Sequence, residues 1–416
     1  MKFLVIGGGG REHAIAWKLA QSPLAEKVYC APGNGGTSIE AKCENINISD
    51  TSELIKFALE NNIDITVVGP EAPLVDGVVD DFKAQGLKIF GPAKAAARLE
   101  GSKSYSKEFC KKYNVKTAAY EEFEDSDKAV EYLKGCGYPV VVKADGLAAG
   151  KGVAICKAFE EAEEAVLSFM VKDIFKGAGK KIIIEEFLEG VEASILAITD
   201  GNVILPFLSA KDHKTIYDNN EGPNTGGMGA ISPNPYCTEE VLNSFKEHIM
   251  LPTLKGIQGE KMDYVGIVFF GLMITKKGVY LLEYNVRMGD PETEAVLPLM
   301  ESDFAELIIE AVNKRLEAYK LQWKNKHCCS VVAASAGYPG SYKTGFTIKG
   351  FENLDSKVFA AGAKTQNGEL ATAGGRVLAV SAIGDTLEQA RENAYRDIKH
   401  IEFEGIYYRS DIGKVK

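Results

Sequence analysis

Val279-Tyr-Leu-Leu-Glu-Tyr-Asn-Val-Arg-Met-Gly-Asp-Pro-Glu292 is an apolar strand with three polar residues placed two apart. Side chains alternate faces along a strand, so the spacing puts Glu283, Asn285 and Arg287 on one face and Leu282, Tyr284 and Val286 on the other. A carboxylate beside an amide oxygen suits a hard cation such as Mg2+, and a guanidinium one step on suits a phosphate or carboxylate. The pattern outlines a phosphoryl-transfer site. A half-exposed strand with a merely solvated polar face gives the same alternation, so other segments decide between the two.

The chain has 416 residues, more than the roughly 250 to 300 at which one core stops growing, so two to four cooperating domains are expected. Apolar residues make up 45% and charged residues 25%, ordinary values for a soluble globular protein. A net charge of -10 and the lack of a Lys/Arg block argue against a nucleic-acid partner. The eight cysteines form no CxxC, and Cys328 adjoins Cys329, which fits buried thiols of a reducing cytosol better than a disulfide framework or zinc site. Five scattered histidines give no metal spacing. The opening Met1-Lys-Phe-Leu-Val-Ile-Gly7 is too short for a signal peptide, and no apolar run of about 18 residues exists to span a bilayer, so a cytoplasmic protein is expected.

Residues 1 to about 100 alternate short apolar strands with helical stretches, the pattern of a parallel sheet with crossover helices. One helix is expected from about Ala93 to Tyr113, and a small mobile lobe from about Val115 to Leu188. Long strands follow to about 324, and the last 90 or so residues form a further α+β piece.

Gly7 to Gly10 follow the first strand and precede a helix, where backbone N–H groups and the helix dipole can hold a phosphate. The acidic residue that a nicotinamide site expects about 20 residues later is missing from Val28-Tyr-Cys-Ala-Pro-Gly33, which argues against that cofactor. Pro32-Gly-Asn-Gly-Gly-Thr37 and Gly69-Pro-Glu-Ala-Pro73 lie at strand ends, where open α/β sheets bind ligands. Tyr138 to Val153 places Lys143 at a strand end and runs into a Gly/Ala loop with Gly150 and Lys151; Gly152 follows where a Walker A motif has Ser or Thr. Such a loop can fold over phosphates with Lys143 as a point charge. Ile182 to Leu188, followed by Glu192, can sandwich a purine and reach ribose hydroxyls, or simply cap a strand. Gly222-Pro-Asn-Thr-Gly-Gly-Met-Gly229, preceded by Lys211-Asp-His-Lys214, is backbone-exposed enough to clamp an anion or substrate.

Lys143 with its glycine loop, Glu185 to Leu188 and the Glu283/Asn285 strand resemble the ATP-grasp superfamily. GGGGREHAIAW, PGNGGT, GPEAPL, KADGLAAGKGV, DHK with GPNTGGMGA, EYNVRMGDPETE, AGYPGSY, AGGRVLAV and YRSDIG, in that order from residue 4 to residue 413, resemble the glycinamide ribonucleotide synthetase family, the phosphoribosylamine-glycine ligases. The resemblance covers essentially the whole chain.

It implies a multidomain α/β and α+β protein: an N-terminal Rossmann-like domain over 1–102, an ATP-grasp domain over 103–324 with a mobile lid of about 115–189, and a small C-terminal α+β domain over 325–416. It implies ligation of glycine to 5-phosphoribosylamine with ATP as cosubstrate and Mg2+ or Mn2+ as metal, in de novo purine synthesis. It also implies a monomer with at most transient contact to neighbouring purine-pathway enzymes, and no membrane partner. By that resemblance Lys103 and Lys143 contact nucleotide phosphates under the loop containing Gly150, while Glu185, Glu186, Phe187 and Leu188 line the adenine pocket and Glu192 takes the ribose. Glu283 and Asn285 bind the metal. Asp212 and Arg287 take the ammonium and carboxylate of glycine, beside Asn224, Thr225 and Gly226. Phosphoribosylamine falls to Gly8, Gly9, Gly10, Asn34, Glu71 and Arg376. The family continues DHK with Arg and a glycine-rich acidic run, whereas Thr215-Ile-Tyr-Asp-Asn-Asn220 follows here, so Lys211 or Lys214 is expected to replace the missing charge.

No Ser/His or Cys/His pair stands in a recognisable setting, so activation of a carboxylate is expected to come from ATP rather than from a covalent enzyme intermediate. Two other readings stay open. A biotin-carboxylase-like enzyme would activate bicarbonate, against which the GPNTGGMG and PGNGGT motifs stand. A catalytically silent nucleotide-binding protein need not keep both Glu283 and Asn285.

Overall fold

The structure, a computed structural model, describes residues 1–148 and 152–415. At the N-terminus Lys2–Gly7 pairs in parallel with Lys27–Pro32 and with Ile65–Val68, and Ile65–Val68 pairs in parallel with Ile89–Pro92. Each strand is buried on both faces, Ile65–Val68 along its whole length, because crossover helices cover a parallel sheet. Tyr264–Thr275 then pairs antiparallel with Ile89–Pro92 at Tyr264 and Val265. Through that junction the N-terminal sheet runs on into Val191–Thr199, Ile204–Asp212, Gly229–Ser232, His327–Ser335 and Arg376–Gly384. The first strand, the strand ending at Asp212 and the strand starting at Arg376 therefore belong to one continuous sheet.

Tyr120–Phe123, Ile182–Glu186, Val140–Ala144 and Val153–Cys156 form a separate antiparallel sheet. It has its own apolar cluster of Ala129, Leu133, Val142, Ala162, Val166 and Ile182. A sheet with its own core can move as a unit over the larger one.

The single helix expected from Ala93 to Tyr113 is two, Lys94–Gly101 and Lys103–Tyr113. Ser102 breaks it with extended backbone (φ -141°, ψ 116°), and its hydroxyl accepts the Tyr105 N–H as an N-cap. The Asp145 carboxylate takes the Ser104 N–H at 2.6 Å, so a capped start replaces the helical bond that continuity would have used. All eight cysteines are free thiols, with Cys328 and Cys329 fully buried. Among the described residues no helix is long and apolar enough to cross a membrane.

His213 is buried, and its Nε2 accepts the Gly413 N–H at 3.3 Å. Burial, with Arg409 and Lys211 nearby, lowers its pKa from 6.5 to about 4. The unfolded chain then binds the extra proton between these values, so His213 favours the folded state above pH 6.5 and loses that contribution as pH falls towards about 4. Roughly 3 kcal/mol is at stake. Urea unfolding at pH 7 and pH 4.5 should show a smaller loss for His213→Asn than for the wild type; equal losses would contradict this assignment.

Candidate active site

The strand Gly278–Asn285 pairs with Tyr264–Thr275 across a bulge: Gly271 faces Glu283 and Leu272 faces Leu281, leaving Leu282 as the extra residue. This corrects the simple alternation. Leu281, Tyr284 and Val286 are the buried side chains, whereas Leu282 is half-buried and its carbonyl oxygen lies 3.4 Å from Lys143 Nζ. A bulge re-aims the residues that follow it. Glu283, Asn285 and Arg287 stay together on the cleft face.

Burial pushes the Glu283 carboxyl up, but Lys214, Lys143, Lys103 and Arg287 outweigh it and hold it below the ordinary range. Glu283 is therefore an anion amid cations. Arg287 donates from Nη2 to Asn285 Oδ1 at 3.3 Å, and lies 3.1 Å from Glu100 and 3.3 Å from Glu71. Glu100 Oε2 also accepts the Val286 N–H at 2.7 Å, tying the strand end to the helix Lys94–Gly101. Nothing in the sequence around Glu100 signalled this role, because the contact spans 186 positions.

On the separate sheet, Lys143 Nζ sits 2.9 Å from Glu185 Oε2, and Lys107 Nζ, from the helix Lys103–Tyr113, sits 3.2 Å from Glu185 Oε1. All three are buried. Glu185, expected in the adenine pocket, has its side chain taken up by these two lysines, since a buried carboxylate needs paired charge. Two lysines on one carboxylate leave net positive charge at this edge of the sheet. Lys103 leans on the Gly146 carbonyl at 3.4 Å, and burial lowers its pKa. Glu186 caps the Ala119 N–H at 2.9 Å, while Phe187 is exposed and Leu188 half-buried beside it. Gly150 lies outside the described residues.

Asp212 ends the strand Ile204–Asp212, and its Oδ1 is buried with no hydrogen-bond partner. Burial, followed by the neighbouring Glu292 carboxylate, raises its pKa well above the carboxylate range. Lys214, whose Nζ lies 2.5 Å from Glu192 Oε2, is the cation on this side; Lys211 lies over the Tyr236 ring instead, 4.8 Å from its centroid. Glu192, expected at a ribose, is thus also the partner of Lys214. Gly227 (φ +111°) lets backbone pass where a Cβ would come within 2.7 Å of Asp212 Oδ1. Thr225 donates from N and Oγ1 to the Lys214 carbonyl at 2.7 Å each, which closes the loop from Lys214 to Gly226. Asn224 pairs with Thr215 in the hairpin above. Arg376 reaches the loop from the C-terminal lobe, donating to the Gly226 carbonyl at 2.6 Å and pairing with Asp290 at 2.9 Å. Arg376, expected at a phosphate, thus also holds the glycine-rich loop.

The Gly8 to Gly10 turn leads into the helix Gly10–Ala20, with the Gly9 N–H donating to Glu12 at 2.6 Å. A Cβ at Gly10 would lie 2.4 Å from Glu294 Oε1. Asn34 donates to the Gly8, Gly9 and Ala360 carbonyls and accepts the Gly36 and Thr37 N–H groups. Its amide oxygen and nitrogen both have partners within the protein, so it shapes the Gly8 to Gly10 turn as well as its own. Glu71 stands between Arg287 and Arg11. The buried acids Glu292 and Glu294 and the ion pair of Arg11 with Glu12 at 2.5 Å also border this end of the cleft. GDPETE supplied the first two in plain sight; only the folded chain brings Glu292 near Asp212 and Glu294 against Gly10.

A separate antiparallel sheet whose Lys143 reaches the Glu283/Asn285 strand at the Leu282 carbonyl is the arrangement of an ATP-grasp ligase. The chain belongs to the phosphoribosylglycinamide synthetase family: residues 1–100 match its N domain, 101–293 its ATP-grasp (A) domain and 328–415 its C domain. Phosphoribosylamine–glycine ligase of Clostridium acetobutylicum is 65% identical over the full length of both chains, and that of Fusobacterium nucleatum is 53% identical over 99% of this chain and 98% of the relative. The crystal structure of phosphoribosylamine–glycine ligase from Thermotoga maritima superposes with TM-score 0.87 at 34% identity, covering 99% of this chain and all of that one. The biotin carboxylase domain of Hydrogenobacter thermophilus 2-oxoglutarate carboxylase shares the fold alone, at TM-score 0.75 and 17% identity over 98% of this chain and 91% of that one.

Proposed function

We propose that the cleft joins glycine to 5-phosphoribosylamine, with glycine held by Asp212 and Arg287 and activated as glycyl phosphate. The chain is an ATP-dependent ligase that forms glycinamide ribonucleotide, ADP and phosphate in purine biosynthesis. The buried, unpartnered Asp212 oxygen carries the residue assignment: a carboxylate left without a donor in a polar cleft is complementary to an ammonium.

Lys143 and Lys103 hold the nucleotide phosphates, with Phe187 and Leu188 against the base. Arg287 orients the glycine carboxylate towards the γ-phosphoryl, which becomes bonded to a glycine oxygen as ADP leaves. The amine of phosphoribosylamine then adds to the acyl carbon and expels phosphate. Glu283 and Asn285 fit a hard cation by their oxygen donors, and Mg2+ or Mn2+ there would neutralise charge on the transferring group. Among the described residues no group of three or more His, Cys, Asp or Glu is arranged for a metal, so nucleotide and water oxygens would complete the shell. The lid sheet excludes water from the acyl phosphate. The free thiols suit a reducing compartment such as the cytoplasm.

ADP release should need both glycine and freshly generated phosphoribosylamine for full turnover; turnover indifferent to glycine would remove the residue assignment. Glycine labelled with 18O in its carboxylate should pass one labelled oxygen to each phosphate and keep the other in the amide. Unlabelled phosphate alongside product would exclude glycyl phosphate.

A further inference from the structure

The segment Thr215 to Asn224 forms a two-stranded hairpin, Thr215–Tyr217 against Glu221–Asn224. Glu221, Gly222, Pro223 and Asn224 are all exposed. An isolated two-stranded hairpin is marginally stable in water, so something outside it must hold it. Its base carries Asp212 and Lys214 on one side and Thr225 and Gly226 on the other.

The C-terminal segment supplies the hold. Arg409 is 1% exposed, the largest side chain so buried. Its Nη1 donates to both the carbonyl and the hydroxyl of Thr215 at 3.0 Å, and its Nη2 donates to Asn220 Oδ1 at 3.2 Å. Asp411 takes the other edge of the guanidinium in two bonds of 2.8 Å and also accepts the Asn219 N–H at 2.8 Å. Asp218 accepts the Ser410 N–H at 2.8 Å and pairs with the Ser410 hydroxyl. Tyr407 OH donates to the Ile216 carbonyl at 2.8 Å. The segment is anchored in turn on the helix Leu387–Ile398, through Arg391 to the Ile412 and Ser410 carbonyls and through Tyr395 to Arg409.

We propose that Arg409 is a positioning residue for the amino-acid substrate, acting through the hairpin to fix Asp212, Lys214 and Thr225. The bonds fall on Thr215, next to Lys214, and on the turn at Asn220, so the planar fork sets both the height and the tilt of the hairpin. A lysine cannot reproduce that geometry. The C-terminal lobe thereby takes part in glycine recognition without touching glycine. This inference rests on glycine binding beside Asp212.

The test compares full-length Arg409→Met with Asp218→Ala/Ser410→Ala, which removes the half-exposed strap and leaves the guanidinium in place. Steady-state constants for glycine, ATP and phosphoribosylamine are measured with the melting temperature. Arg409→Met should raise KM for glycine about tenfold or more while KM for ATP stays within about twofold, and the strap variant should shift glycine alone by a smaller factor. A purely structural role would lower the melting temperature and active fraction with KM for glycine unchanged, and that result overturns the proposal. If Arg409→Met does not fold, the strap variant decides: an unchanged glycine KM rejects positioning. A wild type that turns over ATP without glycine would fail at the ligase reading instead, so the two failures are distinguishable.

Discussion

Glu283→Gln is expected to leave the fold intact and lower turnover by on the order of 10^2-fold or more, roughly 3 kcal/mol of transition-state stabilisation. The side chain is half-buried on the cleft face, with Leu281 and Tyr284 filling the core behind it, so a neutral amide of the same shape leaves the packing alone. The electrostatics change sharply. Lys214, Lys143, Lys103 and Arg287 together hold Glu283 ionised against its burial. Removing the anion leaves these four cations with less compensating charge, and takes away the one carboxylate that the strand Gly278–Asn285 offers a metal. The expected signature is a lower kcat at saturating Mg2+ with an unaltered melting temperature. Near-normal activity at saturating Mg2+ would take Glu283 out of the site.

Asp212→Asn is expected to raise the glycine requirement roughly ten- to a hundred-fold, the range for losing a hydrogen bond to a charged group, while the ATP requirement stays close to that of the wild type. The direction follows from the buried oxygen. An ionised Asp212 completes an ammonium pair, whereas an amide aims either a neutral oxygen or an N–H at the ligand. Burial and Glu292 raise the pKa of Asp212 in the empty cleft, so below that pKa a bound ammonium must expel a proton. Glycine affinity in the wild type should therefore fall as pH is lowered, and the Asn variant should lose that dependence. Equal shifts in the glycine and ATP requirements would show Asp212 to be organising its loop instead of gripping glycine.

Much of this was legible in the chain itself because the information was local. The period-two spacing of Glu283, Asn285 and Arg287 depends only on strand geometry, and it survives the bulge because that lies one residue before them. The Gly7 to Gly10 turn, the Lys143 strand and the glycine-rich loop after Asn224 are likewise short-range patterns of backbone freedom and charge. The linear order of motifs was enough to place the chain in its family. The break at Ser102 was also written locally, as a glycine followed by an N-cap serine, but it sits between two stretches of good helix formers that read as one.

Tertiary structure decided which partners these groups meet. Asn34, in a local glycine-rich turn, meets the carbonyls of Gly8, Gly9 and the distant Ala360 as well as the Gly36 and Thr37 N–H groups of its own turn. Glu185 looked like part of a base pocket and is enclosed by Lys107 and Lys143, 78 and 42 positions away. Arg376 and Arg409 cross from the C-terminal lobe to hold loops about 150 to 194 positions earlier. A polar side chain announces its type in the sequence, but its function is set by whether burial leaves it a neighbour within about 3 Å. That neighbour is chosen by the path of the sheet, which no local pattern records.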